Sequence, residues 1–161
     1  MIENKEELKE IMKIALDELY KKNKDVIDKA IHENALNHML AIYLEKVIRD
    51  KGIWENIYSI DVEYNKNSYD PKRLVIGKGF RPDIILHERR TNENNLLLIE
   101  AKIGHLKDKD KKILEESLKE PFRYKFTIGL EYRKPRKKDK FICYIRTKEN
   151  PDEMVLFEII K

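Results

Sequence analysis

Two apolar runs joined by a polar connection, RPDIILHERRTNENNLLLIEAKI from Arg81 to Ile103, limit what this chain can fold into more than any other stretch. Ile84, Ile85 and Leu86 form the first run and Leu96 to Ile99 the second, and HERRTNENN between them has the polar, Asn-containing character of a hairpin loop. Side chains alternate along a strand, so Glu100 and Lys102 share a face at a spacing of roughly 7 Å. Asp83, on the neighbouring run, can be brought beside them. Leu97, Ile99 and Ala101 face one way and Leu96 and Leu98 the other, the pattern of a central strand covered on both sides. Three charged groups at the end of such a strand require a physical reason.

A divalent-cation site supplies one. Asp83 and Glu100 offer hard oxygen ligands suited to Mg²⁺ or Mn²⁺, and Mg²⁺ commonly takes only one or two protein carboxylates and completes its shell with water and phosphate oxygens. Lys102 would place a fixed positive charge beside the ion. That combination suits phosphodiester hydrolysis, in which an ion polarises the phosphoryl group and orients an attacking water.

Pro82-Asp83, sixteen intervening residues, then Glu100-Ala101-Lys102 resembles the signature of the PD-(D/E)XK nuclease superfamily, the restriction-endonuclease-like fold. The resemblance implies a helix, a meander of strands and a crossover helix leading to a further strand. It assigns metal binding to Asp83, Glu100 and the Ala101 carbonyl, assigns water activation or charge stabilisation to Lys102, and implies products with 5′-phosphate and 3′-hydroxyl ends. The Glu/Asp-x-Lys element alone carries little, because Glu3-Asn4-Lys5, Glu7-Leu8-Lys9 and Asp110-Lys111-Lys112 match it too. Only the instance at Glu100 follows an apolar strand with a Pro-Asp strand before it. The Gln-x-x-x-Tyr element that marks an exonuclease branch of the superfamily is missing from the crossover helix.

At 161 residues the chain suits one domain, residues 1–161, with helices over 1–50 and a sheet-containing core over 54–161. Charged residues make up 40% of it, yet the apolar ones fall in periodic blocks, which argues for a folded chain and against disorder. The net charge of +4 is compatible with nucleic acid without demonstrating it. Cys143, the one cysteine, lies in the apolar run FICYIR and reads as a buried, inert thiol. No charged leader precedes an apolar segment and no apolar run approaches membrane-spanning length, so the expected setting is the cytoplasm, with no membrane partner.

Residues 3–22 read as an amphipathic helix carrying Leu8, Ile11, Met12, Ala15, Leu16 and Leu19, with KKNKD breaking it. A second, longer helix runs to about Arg49, apolar over more than half its circumference and so mostly buried. Glu33 projects near one edge of that arc, where a carboxylate needs a partner or a metal. HENALNHMLAIYLEKVI also resembles the first core helix of some PD-(D/E)XK subgroups, which implies Glu33 as a third metal carboxylate. A helix-edge glutamate paired with a lysine accounts for it nearly as well. Glu45, opposite the apolar arc, is the weaker candidate.

IYSIDVEYN should give the first strand, ending near Asn65, with NKNSYDPK, Gly77 and Gly79 forming the connection to Arg81. Glu63 on that strand is a secondary candidate for metal or water, a cross-strand partner for a lysine being the plainer account. Tyr64 and Asn65 are within reach of substrate on the same reading. LKDKDKKILEESLKE reads as the crossover helix, ended by Pro121, and FRYKFTIGLEY, KFICYIR and EMVLFEII as further strands, the first of them parallel to its neighbour. Tyr124 and Gly129 resemble a recurrent aromatic-and-glycine segment of the same subgroups, and Tyr124 is a secondary site candidate. A packed ring with a hydrogen-bonded hydroxyl explains it equally well.

The basic cluster Arg133, Lys134, Arg136, Lys137 and Lys138 would ride on phosphates, or form an ordinary solvated hairpin tip. Arg89 and Arg90 divide between the same two readings, and His105 reads as exposed. No glycine-rich phosphate loop, Cys/His metal spacing or serine nucleophile motif is present. The sequence thus leads to an α/β fold, a mixed central sheet flanked by helices, with a restriction-endonuclease-like core (αβββαβ) and an extra N-terminal helix. The expected activity is Mg²⁺- or Mn²⁺-dependent cleavage of DNA, with Asp83, Glu100, Lys102 and Glu33 as its site and Ala101 among the ligands. A chain this short has little room to read sequence, so contacts would go mainly to the backbone unless a second copy or a partner protein supplies specificity. The rival classes are a nucleic-acid-binding module without cleavage and an interaction protein whose Asp83, Glu100 and Lys102 form an internal salt-bridge network.

Overall fold

The computed structural model describes residues 2–29, 32–54, 56–64, 66–67, 70–71, 81–132, 139–149 and 153–158. The basic cluster Arg133–Lys138, Asn65, Gly77 and Gly79 lie outside them.

Helix α1 spans Lys5–Lys29, longer than the sequence suggests. KKNKD does not break it: only Asn23 leaves helical geometry, at φ −129° and ψ 30°, and the helix resumes. The Asn23 amide bonds the Leu19 carbonyl at 3.3 Å and the Tyr43 hydroxyl at 2.9 Å, so a short polar side chain supports a kink where the sequence suggests a turn. Helix α2, Glu33–Asp50, packs on α1 and buries Leu36, Leu40, Leu44 and Val47 from the expected arc, together with Asn37.

Strand β1, Tyr58–Val62, is followed by two short strands, β2 (Lys66–Asn67) and β3 (Asp70–Pro71), which pair with each other where the sequence suggests only a connection. Then come β4 (Ile84–Glu88) and β5 (Asn95–Ile103), helix α3 (Asp108–Ser117), and strands β6 (Phe126–Tyr132), β7 (Asp139–Arg146) and β8 (Glu153–Glu158). The main sheet has the order β1-β4-β5-β6-β7-β8. All neighbours are antiparallel except β5 and β6, whose parallel pairing is made possible by the α3 crossover. The protein is therefore α/β with a mixed sheet flanked by helices. Among the described residues no helix is long and apolar enough to cross a membrane.

Both faces of β5 are covered, as its two-sided apolar pattern requires. Leu97, Ile99 and Ala101 join Leu8, Ile11, Leu16, Leu40 and Leu44 beneath α1 and α2. On the other face Leu98 meets Ile85, Leu114, Phe122 and Tyr124 beneath α3. Phe122 and Tyr124 precede β6 and do not belong to it: they fill this smaller cluster, and Arg123 between them takes a left-handed φ of 50°. Gly129 faces α3 from β6. A Cβ there would stand 2.5 Å from Leu106 Cδ1 and 3.0 Å from Leu114 Cδ1, so the bare backbone is what lets those leucines seat on the sheet.

Candidate functional site

The register of the sheet assembles the site. Ile84 lies opposite Ile99, which places Asp83 and Glu100 one step further along adjacent strands. Glu100 in turn lies opposite Gly129. Glu63 meets the same row from β1, its N–H donating to the Asp83 carbonyl at 3.0 Å. The strand β1 stops here because Glu63 turns into the left-handed region, φ 53°, so it ends at Val62 before reaching Asn65.

Asp83 Oδ2 accepts the Ala101 N–H at 2.8 Å, which ties the carboxylate to the end of β5. Lys102 starts from the α3 face of the sheet, and its ammonium reaches Glu33 Oε1 at 2.9 Å, the Ala101 carbonyl at 2.8 Å and Asp83 Oδ2 at 3.4 Å. The other Glu33 oxygen accepts the Ile103 N–H at 2.9 Å. Glu33 opens α2, so the first turn of a helix packed on the opposite face is joined to the end of β5. Glu100 is 5% exposed, and its Oε1 is buried without a hydrogen-bond partner among the described residues. Gly129, which lies opposite it on β6, admits Leu106 and Leu114 against the sheet.

Charge follows from this arrangement. Burial pushes the Asp83 carboxyl above its ordinary value, against the opposing pull of the Ala101 N–H and the Lys102 ammonium, and Glu33 adds to the rise. Glu100 is driven well above its ordinary value, first by burial and then by the negative charge of Asp83. Burial acts to lower the Lys102 ammonium, but its bond to Glu33 and the nearby Asp83 and Glu100 outweigh that and raise it. Lys102 is consequently a cation throughout the neutral range. It serves as a donor and a charge, not as a base.

The fold therefore brings together Asp83, Glu100, Lys102 and Glu33, but with Glu33 turned to Lys102 and to a backbone amide. Of the two accounts of Glu33, a lysine-paired glutamate or a third metal ligand, this is the paired arrangement. Among the described residues no three Asp, Glu, His or Cys side chains stand grouped around one ion position. The neighbouring donors are the Asp83 carboxylate and the Ala101 carbonyl, which share the Lys102 ammonium, and the Glu100 carboxyl one strand over from Asp83, all hard oxygens. A divalent cation fits them on chemical grounds, since Glu100 Oε1 is a buried oxygen with no hydrogen-bond partner among the described residues and both acids are raised, first by burial and then by neighbouring negative charge. Asp83, Glu100 and Ala101 would hold such an ion.

The secondary candidates separate. Glu63 accepts from the Asn34 amide at 3.2 Å and stands 3.4 Å from an Arg81 guanidinium nitrogen, so its partner is a cation, an arginine in place of the expected lysine. Tyr124 is fully buried in the α3 cluster, a packing residue and not a substrate contact. Glu45 pairs with Arg49 on the outside of α2, and His105 is exposed, with Nδ1 3.2 Å from Glu131 Oε2. Cys143 is buried and its thiol is pushed up by that burial.

Two supporting residues are not evident from sequence pattern. The Tyr132 hydroxyl donates to Asn37 Oδ1 at 2.9 Å in the buried layer one helical turn after Glu33. The i, i+4 spacing of Glu33 and Asn37 on an otherwise apolar face is the available signal. Glu131 is buried and accepts the Leu106 N–H at 3.1 Å, fixing the turn from β5 into α3. An acid inside the apolar run FTIGLEY is its signal.

No protein-family model, curated protein or solved structure matches this chain.

Proposed function

We propose that the chain is a metal-dependent nuclease of the PD-(D/E)XK kind, acting on DNA. The observation that carries the reading is the buried, partnerless Glu100 oxygen beside Asp83, with Lys102 two residues along the same strand. A protein gains no stability from confining two carboxylates where burial raises both, so the arrangement points to a cation they share. A divalent ion held there would polarise a phosphodiester and lower the pKa of a water. The chain's own residues do the rest. Asp83 is oriented by the Ala101 amide, Glu100 is buried beside it, and Lys102 contributes a permanent positive charge that positions water and offsets charge developing on the phosphoryl oxygens.

A second reading has an observation in its favour. Lys102 closes onto Glu33, Ala101 and Asp83 as an internal salt-bridge network would, which suits a protein that keeps the fold without cleavage. That network leaves Glu100 unexplained. Incubating single-stranded, duplex and branched DNA, and RNA, with wild type and Asp83→Ala in Mg²⁺, Mn²⁺ and EDTA separates the two. The nuclease reading expects cleavage by wild type only, abolished by EDTA; equal activity or equal silence from both proteins removes it.

A further inference from the structure

One side chain of the protein already holds three of the oxygens at this corner. The Lys102 ammonium touches the Ala101 carbonyl at 2.8 Å and Glu33 Oε1 at 2.9 Å, and stands 3.4 Å from Asp83 Oδ2. An ammonium and a hard divalent ion seek the same thing, oxygen lone pairs carrying negative charge. Two positive centres at contact distance from one carbonyl also repel each other strongly in a half-buried setting. The side chain is placed to persist there: it is 23% exposed, leaves the sheet beside Glu100, and is fixed at its tip by a glutamate that the Ile103 amide holds in turn.

We propose that Lys102 is the resident counter-cation of this corner and competes with a divalent ion for the Asp83 and Ala101 oxygens. The proposal rests on the metal-dependent reading and goes beyond it, since it makes the lysine an antagonist of metal loading as well as a source of charge. Loading then requires the ammonium to give up the Ala101 carbonyl and Asp83, and the affinity for the ion is reduced by what those contacts contribute. Removing the lysine should strengthen ion binding even as it weakens cleavage. A lysine that only positioned water beside the ion would leave ion affinity unchanged.

The test titrates Mn²⁺ calorimetrically into wild type, Lys102→Met and Lys102→Gln, with thermal unfolding in the absence of added metal to establish that each variant is folded. Competition predicts binding about tenfold tighter or more in both variants, the size of one charge-assisted contact. Wild type that binds Mn²⁺ with variants that bind no tighter overturns the competition and leaves the metal site standing. Silence from all three proteins overturns both. A measurement on the unaltered protein removes dependence on the variants: the rate at which an amine-acylating reagent modifies Lys102, read by peptide mass spectrometry, should rise several-fold at saturating Mg²⁺ while exposed Lys21 on α1 is unaffected. An unchanged Lys102 rate contradicts the proposal.

Discussion

Asp61 and Glu100 are acids on the same face of one sheet, and their surroundings treat them oppositely. Asp61 on β1 lies opposite Ile85, and Ile85 lies opposite Leu98, two residues before Glu100 on β5. Burial alone would raise the Asp61 carboxyl, but Arg89 grips it through Nε at 2.8 Å and through a second nitrogen at 2.5 Å, and His87 Nε2 stands 3.0 Å away, so it is held well below the usual carboxylate range. Glu100 has burial and a neighbouring acid and is driven the other way. Arg89 and His87 satisfy the Asp61 carboxylate, whereas no described group satisfies Glu100 Oε1. This contrast, more than the spacing of the motif, separates the corner at Asp83 from the other acidic positions on the sheet.

The largest effect expected from breaking the contrast is catalytic. Asp83→Ala and Glu100→Gln should each lower DNA cleavage by about 10²–10³-fold or more in single-turnover assays, while Asp61→Asn should change it little. Stability should order the same variants in reverse. Asp61→Asn removes the negative charge and turns one of the two oxygens that Arg89 and His87 face into a donor, and is expected to cost about 1–3 kcal/mol in urea unfolding. Glu100→Gln replaces an unpartnered buried carboxyl and is expected to be neutral or stabilising by about 1 kcal/mol.

Acidity sharpens the comparison further. The Glu100 pKa is raised on folding, so the folded state binds its proton more tightly, and lowering the pH through the folded value toward the unfolded one adds stability. The gap between Glu100→Gln and wild type should therefore narrow between neutrality and about pH 5. Asp61 is depressed on folding, so its contribution is full above the unfolded value and is lost only as pH falls below the ordinary carboxylate range. The gap for Asp61→Asn should persist where the other closes. Chemical denaturation across that range, one variant beside the other, reads both.

A smaller effect concerns the packing over Gly129, which lies opposite Glu100 on β6. Gly129→Ala would press on Leu106 Cδ1 and Leu114 Cδ1, the free ends of flexible side chains, and is expected to destabilise by about 1–2 kcal/mol by thermal or urea unfolding.

Much of the sheet and of its acidic corner is legible in the amino-acid sequence. The two-sided apolar run at Leu96–Ile99 demands a central strand, and alternation then sets Glu100 and Lys102 on one face. A connection of more than a dozen residues permits the parallel β6. The features that local pattern does not carry depend on distant pairing. Nothing near Asp61 announces His87 and Arg89, which are brought to it by the β1–β4 register. Lys102 and Ile103 meet Glu33 across a separation of about seventy residues because α2 begins beside the end of β5, and local pattern does not encode that. The length of α1 is not evident at KKNKD because propensity there favours a turn, while Asn23 finds Tyr43 on the neighbouring helix and the chain continues through a kink. The pairing of β2 with β3 leaves no trace in NKNSYDPK, which lacks any apolar alternation.

The most direct measurement is a calorimetric titration of Mn²⁺ into wild type and Glu100→Gln at neutral pH. If Asp83 and Glu100 share a cation, wild type binds, and the variant, still folded and no less stable, loses about tenfold or more in affinity. Equal affinity in the two proteins, or no binding to either, would contradict the account.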